Sequence, residues 1–351
     1  MLNWGIKVII KVLLTGVGVL HILYIINQFL PIDQAMLSLE TRGVTKSAYP
    51  NYDDLYQLEK VKLGLADPPF YVGIDIRKDT KVPIPTFKWI GLQNRYHHFL
   101  VNVLTFDFGV SRTDGKSAMG KVFKSLSWTS VYVLLSIFFI LILTRYFGSV
   151  LTQISKNKGK TNTINTFLII FYSIPEFWIA TLMVLFFSSN RYGIHLFSIA
   201  SYGVSSNLVD ILSRVWPMVL CSVIGSLAYF IFMYIENIKE ENQKPYFRGA
   251  LAKGLSKNDV IKIHTSPNAF FVMAGSIINS IPGWLGGSII LENIFNVPGL
   301  GRLLFFSFNS GDWQVLFAII FLVSVMTTLG LAIGDLIHAR YNPKTNQLLN
   351  I

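Results

Sequence analysis

The chain has 351 residues, of which 52% are hydrophobic and only 14% charged, with a mean hydropathy of +0.49. That balance excludes an ordinary water-soluble domain. A formal charge of +11 would suit nucleic acid, but in so apolar a chain the placement of the charges matters more than their sum. The single cysteine, Cys221, lies inside an apolar run, which excludes a disulfide framework or a cysteine metal site.

Apolar runs of about 20 residues read as membrane spans. Six are predicted: 8–30, 126–147, 164–187, 215–235, 269–291 and 313–338. The first is too long, and lacks the small-residue cleavage site, for a signal peptide, so it is predicted to be an uncleaved span. The fold class is therefore an all-α integral membrane protein. Its expected organisation is an N-terminal transmembrane helix (1–31), a large extracytoplasmic region (32–120), a core with five further spans (121–344) and a short tail (345–351). With the N-terminus in the cytoplasm, the short cytoplasmic pieces hold 14 Lys and Arg, whereas the two short outer loops hold only Arg191, Arg214 and Arg302. This is the positive-inside pattern, and it puts both termini in the cytoplasm.

His21 lies within the first span, where a proton relay and a hydrogen-bonded neutral imidazole are both open readings. The outer region is Tyr-rich and punctuated by Pro50, Pro68, Pro69, Pro83 and Pro85, and it shows no long helical period before Trp89. A stretch of that length is expected to fold, so residues 38–88 are predicted to form an extra lobe. Apolar residues recur at helical spacing over 89–104. His97 and His98 point to different sides of such a helix and have no nearby partners to complete a metal site. Asp107-Phe108-Gly109 spells a kinase magnesium motif without any other kinase element. Residues 109–117 miss a phosphate-binding loop by one residue and follow no buried strand. Neither carries nucleotide chemistry.

The third span contains Ser173-Ile174-Pro175-Glu176-Phe177. An ionised carboxylate at mid-membrane costs about 2.5–3.5 kcal/mol on insertion scales. Glu176 therefore faces a pathway, or else a hydroxyl or Arg on a neighbouring helix. Pro175 permits a kink. The fifth span is interrupted by Pro282-Gly283 and Gly286-Gly287, which allow a break and close helix approach. Residues 292–301, ENIFNVPGLG, read as an outer loop turning its apolar residues back into the protein. Asp312 and Trp313 open the sixth span and Asp335 lies near its cytoplasmic end.

Between the fourth and fifth spans lies the polar, basic segment 245–268, PYFRGALAKGLSKNDVIKIHTSPN. It reads as two short helices, 246–254 and 256–264, with Ser256 as N-cap and Asp259 three residues on. Such a loop either docks onto a partner or is an ordinary positively charged cytoplasmic loop.

RGALAKGLS, with Arg248, Ala250, Ala252, Lys253, Gly254, Leu255 and Ser256 in register, resembles the coupling loop of bacterial ABC importer permeases in the peptide/nickel branch. His264 and Asn268 continue the match. Leu285–Leu304 resembles a second family stretch through Gly286, Gly287, Glu292, Phe295, Pro298, Gly299, Gly301 and Arg302. Leu30-Pro31-Ile32-Asp33, residues 106–111 (FDFGVS), Ser173-Ile174-Pro175 with Phe177, Asp335 and Asn342-Pro343-Lys344 fall where the family has similar residues. The resemblance covers the first span and about 99–344. Pro245, Pro267 and Val272 depart from the usual Asp, Arg and Pro.

The resemblance implies a type I importer permease that hydrolyses nothing itself and binds no cofactor or metal. ATP and magnesium would sit on two cytosolic ATPase subunits that receive the loop around Tyr246–Ser256. Gly254 would allow close approach or a left-handed helix end there. The remaining partners implied are a second, homologous permease subunit and an extracytoplasmic binding lipoprotein. The location implied is the bacterial plasma membrane. Peptides are the default substrate, with nickel or metallophore complexes and glutathione-like thiols as alternatives. Pro175, Glu176, Pro282, Gly283, Gly286, Gly287 and Glu292 are the candidate pathway or gate residues, and Pro298, Gly299 and Gly301 form an outer-loop motif. A secondary transporter would show an inverted repeat, and a membrane enzyme would need its His residues clustered; the sequence shows neither.

Overall fold

A computed structural model describes residues 2–29, 33–62, 65–77, 84–154, 158–188, 194–199 and 208–341. Helix α1 (Leu2–Phe29) is followed by α2 (Gln34–Thr41) and α3 (Tyr52–Lys62). Strands β1 (Val72–Arg77) and β2 (Ile84–Trp89) form an antiparallel hairpin, with Val72 opposite Trp89 and Ile74 opposite Phe87. After α4 (Arg95–Leu104) come the long α5 (Ala118–Ile154), α6 (Lys158–Tyr172), α7 (Glu176–Phe187) and α8 (Leu208–Glu241). Helices α9 (Pro245–Ala252) and α10 (Lys257–Val260) lead through a π-helical turn, Ile261–Thr265, into α11 (Ser266–Asn279) and α12 (Ile281–Ile294). Helices α13 (Leu300–Ser310) and α14 (Trp313–Tyr341) close the chain. The hairpin corrects the all-α expectation: the lobe predicted over 38–88 is part helix and part sheet.

Four of these helices are long and apolar enough to cross a membrane by themselves: Ile6–Ile26 of α1, α5, α8 and Trp313–Gly334 of α14. Helices α6 and α7 qualify only as a pair, bent by 69°. Of the six continuous spans expected from hydropathy, four are unbroken helices and one is this bent pair. The bend falls at Ser173-Ile174-Pro175, because Pro175 has no N–H to continue the helix and becomes the N-cap of α7. The predicted fifth span divides at Ser280 into α11 and α12, of 14 residues each. Pro282 stands in the first turn of α12, where its missing donor is one of the orphans of a helix start. Helix α4 begins at Arg95 rather than at Trp89. Gly91 takes a left-handed φ of 80°, and the Asn94 side chain accepts from the His97 N–H, capping the helix there. Leu30, Pro31, Ile32, Arg191 and 342–344 lie outside the described residues, as do the side chains of Pro282, Gly286, Gly287 and Asp335.

Two compact units are resolved, 1–13 with 124–305 and 323–351, and 14–123 with 306–322. In the first, α8 is central: 61% of its apolar stretch is buried, against 33% for α5, and it packs on α6, α7 and α11. Its Met218 belongs to a core cluster with Trp128, Tyr132, Met183, Met273 and Ile277. Tyr234 is fully buried, and its hydroxyl meets the Ser266 hydroxyl at 2.6 Å. Gly148 on α5 provides the space for that ring, since any Cβ there would overlap it. Many apolar side chains face outward on α5, α6 and α7, among them Leu134, Phe167, Ile170 and Trp178. Apolar surface on that scale belongs against lipid or another apolar helix.

In the second unit, Leu23, Leu316 and Phe317 are buried with Phe99, Phe108 and Trp313 around them. The His21 imidazole meets the Tyr96 hydroxyl at 2.6 Å. His97 pairs with the Tyr71 hydroxyl at 3.1 Å, while His98 lies 3.7 Å from Asp67. The Asp107–Ser117 stretch is a tight antiparallel turn: Ser111 N–H donates to the Lys116 carbonyl at 2.7 Å and Ala118 N–H to the Gly109 carbonyl at 2.9 Å. It ends on Asp312, 1% exposed, whose carboxylate accepts from the Ser111 hydroxyl and from the Arg112 N–H at 3.2 Å. Lys121 Nζ bridges the Ser111 hydroxyl at 2.8 Å and Asp114 at 3.3 Å.

Two measurements test this packing. Gly148→Val drives a side chain into the Tyr234 ring, an overpacking that costs about 1–3 kcal/mol, and is expected to lower the thermal midpoint of the purified chain. Burial opposes ionisation of Asp114, but the Lys116 amide, the Ser111 hydroxyl and Lys121 outweigh it and hold the carboxyl below its ordinary 3.8. A depressed carboxyl stabilises the fold above its unfolded value and loses that contribution as pH falls through the folded value. Thermal midpoints of wild type and Asp114→Asn are therefore expected to differ at neutral pH and to converge below about pH 3.8.

Candidate functional site

The segment 245–268 keeps defined structure after the α8 span ends. Pro245 occupies the first turn of α9, a position that suits its fixed φ and absent N–H. The departure from the usual Asp therefore leaves a sound helix start. At its other end the helix closes in a Schellman motif. Gly254 has φ +89°, its N–H donates to the Leu251 carbonyl at 2.9 Å, and the Leu255 N–H reaches the Ala250 carbonyl at 3.3 Å. Ser256 then caps α10: its hydroxyl donates to Asp259 Oδ2 at 2.5 Å and accepts from the Asp259 N–H at 3.2 Å. The N-cap expected at Ser256 is thus present, but Asp259 takes the Ser256 hydroxyl where a capping box would take its backbone N–H.

The predicted second helix, 256–264, is α-helical only to Val260 and then widens. Pro267 has no N–H to give to the Ile263 carbonyl, and just before it the Ser266 N–H reaches back five residues to Ile261. A π-turn results. It joins the loop to α11 without an intervening coil.

The loop has an inner and an outer face. Phe247, Val260 and Thr265 are buried. Arg248, Leu251, Ala252, Lys253, Gly254, Leu255 and Ile263 are exposed, and Ala250 is half-buried. Glu241, at the end of α8 and 6% exposed, fixes the inner face. It accepts from the Tyr246 hydroxyl at 2.6 Å and pairs with Lys244. Burial and the Glu241 carboxylate push the Tyr246 hydroxyl up to about 12, so it stays a donor. Tyr246 thereby ties the loop to the end of α8.

The span residues picked out by sequence fall into two clusters. Glu176, in the first turn of α7, accepts from the Ser226 hydroxyl at 2.9 Å and lies 3.5 Å from that of Ser222. Ser222 in turn meets the Tyr132 hydroxyl. Gly225 lets the carboxylate lie against α8, as a Cβ there would stand 2.5 Å from Glu176 Cγ. Of the two expected surroundings for Glu176, hydroxyl partners on a neighbouring helix are what the structure shows.

The other cluster is built round Glu292, which is fully buried. Thr129 Oγ1 on α5 donates to its Oε1 at 2.7 Å, and the Arg302 N–H donates to Oε2 at 2.8 Å. The Leu300 N–H donates to Thr129 Oγ1 at 2.7 Å. A carboxylate thus satisfies the orphan donors at the start of α13, as charge at a helix N-terminus favours. Gly299 touches the carboxylate so closely that any Cβ would overlap it. At Gly301 a Cβ would lie 2.7 Å from the Ile289 backbone. Asn296 takes a left-handed φ of 55°, and its carbonyl accepts from Arg302 Nη1 at 2.8 Å. Phe295 and Val297 are buried, 2% and 1% exposed, so the loop does turn its apolar residues inward. Glu292 and Glu176 sit in separate clusters with separate partners.

Sequence reasoning missed two participants. Glu241 and Thr129 look like an ordinary helix-end acid and an ordinary span hydroxyl, and each acts on a partner brought near only by folding.

Apolar helices, one bent and one split, with an exposed and internally capped loop between two of them, define a polytopic membrane protein. Residues 146–347 match the family of the binding-protein-dependent transport system inner membrane component. That is more than half of the 351 residues, and the chain belongs to this family, the membrane permeases of ABC importers. It is similar to the inner membrane ABC transporter permease protein YejB of Escherichia coli O157:H7, 28% identical over 72% of this chain and 71% of that protein. The oligopeptide transport system permease protein AppB of Bacillus subtilis is 24% identical over 81% of this chain and 82% of its own. The metal-staphylopine import system permease protein CntB of Staphylococcus aureus (strain Mu50 / ATCC 700699) is 23% identical over 72% and 78%.

The Glu292 geometry yields a graded expectation. Glu292→Ala removes the acceptor of two donors and opens a cavity; Glu292→Gln keeps the volume and part of the bonding. Leaving such groups unmade costs about 1–3 kcal/mol each. The thermal midpoint should fall in the order wild type, Glu292→Gln, Glu292→Ala, with Gly299→Ala also well below wild type.

Proposed function

We propose that this chain is the permease half of a peptide importer in a bacterial plasma membrane. Short peptides delivered by an extracytoplasmic binding lipoprotein would pass between it and a second, homologous permease subunit. Two cytosolic ATPase subunits would bind ATP and magnesium, and this chain would hold no cofactor. In that arrangement α11 and α12 together complete a sixth crossing, both termini are cytoplasmic, and residues 32–120 face outward. The oligopeptide permease among its relatives supports the substrate class.

The observation that carries the reading is the outer face of α9. Its helix is finished at both ends by local bonds; Arg248 and Leu251 on it and Leu255 just after it are exposed, while Phe247 is buried and Tyr246 bonds Glu241. A preformed knob of this kind suits a groove on an ATPase. A push on it would pass through Tyr246 to α8 and through the π-turn to α11, and two-state rearrangement of rigid helices converts such a push into alternating access. The bend at Pro175-Glu176 and the split at Pro282-Gly283, with Gly286 and Gly287 following, are the places where the pathway lining would flex. Glu292, Pro298, Gly299 and Gly301 would hold the α12–α13 turn as one piece during that motion.

The likeness to the staphylopine permease favours a second reading, in which the cargo is a metal–metallophore complex. Uptake of labelled peptide against uptake of labelled nickel with a metallophore separates the two.

The loop assignment is tested by Gly254→Val in the assembled transporter. A β-branched residue at φ +89° costs roughly 1–3 kcal/mol of local strain and unseats the end of α9. ATP-driven peptide uptake is expected to be lost while the chain stays in the membrane at wild-type level; wild-type uptake by this variant refutes the docking role.

A further inference from the structure

The β1–β2 hairpin has one face that the other described residues leave uncovered. Val72 pairs with Trp89 and position 74 with Phe87, so these four positions share a face. Phe87 is 75% exposed, Trp89 69% and Val72 45%. On the opposite face Gly73 pairs with the exposed Lys88. There the Ile90 side chain lies 3.1 Å from where a Gly73 Cβ would stand. A two-stranded hairpin alone is marginal in water, and leaving two large aromatic side chains hydrated is costly.

What covers the face follows from its height. Tyr24 stands two residues before the end of the apolar run Ile6–Ile26 of α1, about 3 Å short of that end at the helical rise. Its hydroxyl donates to the Pro69 carbonyl at 2.5 Å, and Phe70 packs against its ring at 5.4 Å. Val72, the root of the hairpin, is three residues past Pro69 and so within about 11 Å of it.

The hairpin is held at that height, not merely tethered there. Trp89 stacks on Tyr71 with ring centroids 6.0 Å apart. Tyr71 meets Tyr96 edge-on at 5.8 Å, and Tyr96 meets Tyr24 at 5.0 Å. The Ile90 N–H donates to the Tyr71 carbonyl at 2.8 Å and the Arg95 N–H to that of Pro68 at 2.9 Å. A row of aromatic rings therefore leads from the last turns of a membrane span to the uncovered face. The headgroup layer beyond the hydrocarbon is about 5–8 Å deep on each side, and it is where the amphipathic rings of Trp and Tyr settle.

We propose that the hairpin is an interfacial foot, with Val72, Phe87 and Trp89 inserted among the lipids of the leaflet that receives the end of α1. Lys88, on the other face, stays with phosphate and water, the division expected of an interfacial amphipathic element. A water-soluble partner would have to part the headgroups to reach the same face. The inference needs α1 to cross the bilayer and is independent of the cargo.

The test uses the complete transporter in nanodiscs of phosphatidylcholine and phosphatidylglycerol. The only native thiol, Cys221, is buried and out of a label's reach. Spin labels on Phe87→Cys and Lys88→Cys report collisions with oxygen, which concentrates in lipid, and with a water-soluble nickel chelate. The label at 87 is expected to meet oxygen often and nickel rarely, and the label at 88 the reverse. Frequent nickel collisions at both positions overturn the proposal, because the face is then in water. If the extracytoplasmic binding protein suppresses those collisions, the face is its docking site instead. Rare collisions with both probes at 87 also overturn the proposal and assign the face to another subunit.

A second readout needs no label. Wild type and Trp89→Phe are compared in nanodiscs whose lipid is brominated near the top of its acyl chains. Trp89 is one of seven tryptophans, so its contribution is the difference between the two. Fractional quenching is expected to fall in Trp89→Phe; equal quenching overturns the proposal. Should the labelled variants fail to assemble, this comparison still decides.

Discussion

One buried carboxylate organises the most irregular part of the first unit. Glu292 is fully enclosed, and an enclosed carboxylate without donors would be among the most expensive groups in the molecule. Its neighbours remove that cost through Thr129 and the first amides of α13. The benefit runs both ways: the acid takes the Arg302 amide near the start of α13, while Thr129 takes that of Leu300. Gly299 and Gly301 are small because the carboxylate and the Ile289 backbone occupy the space a side chain would need. The Pro/Gly-rich turn is thus one interlocked object, with helices α5, α12 and α13 as its walls.

The coupling segment is solved by different means. Outside an apolar core there is little burial to hold eight-residue helices, and short helices are marginal on their own. Here the ends do the holding: proline opens α9, a Schellman motif closes it, and Ser256 with Asp259 starts α10. Tyr246 then fastens the set to α8, and the π-turn runs it directly into α11. A rigid segment joined to two core helices transmits displacement; a floppy one would absorb it.

The parts legible in the sequence are those written in local chemistry. Ser256 with Asp259, Gly254, Pro175 and Pro282 each announced a cap, a left-handed end or a break, and each stands where the local rule puts it. The family resemblance located the loop and the 285–304 stretch. What could not be read depends on residues that meet only in three dimensions. The Ser111–Asp312 pair joins positions 201 apart, and Tyr234 needs Gly148 from another helix. Hydropathy counted six spans because it averages over breaks: Ser280 leaves no trace in a window of apolar residues. The hairpin over 72–89 was hidden by its prolines, which weaken any strand pattern.

The π-turn at Ile261–Thr265 has a consequence for how this chain can drift over generations. Surface loops generally absorb insertions and deletions, but here coil is absent between α10 and α11, so nothing takes up slack. Adding or removing one residue would rotate everything before it by about 100° about the helix axis, turning Leu251 and Arg248 away from wherever they now point. The segment is therefore free to change letters on its exposed face yet closed to changes of length. Among descendants of this chain, its residue count should prove more durable than its identity.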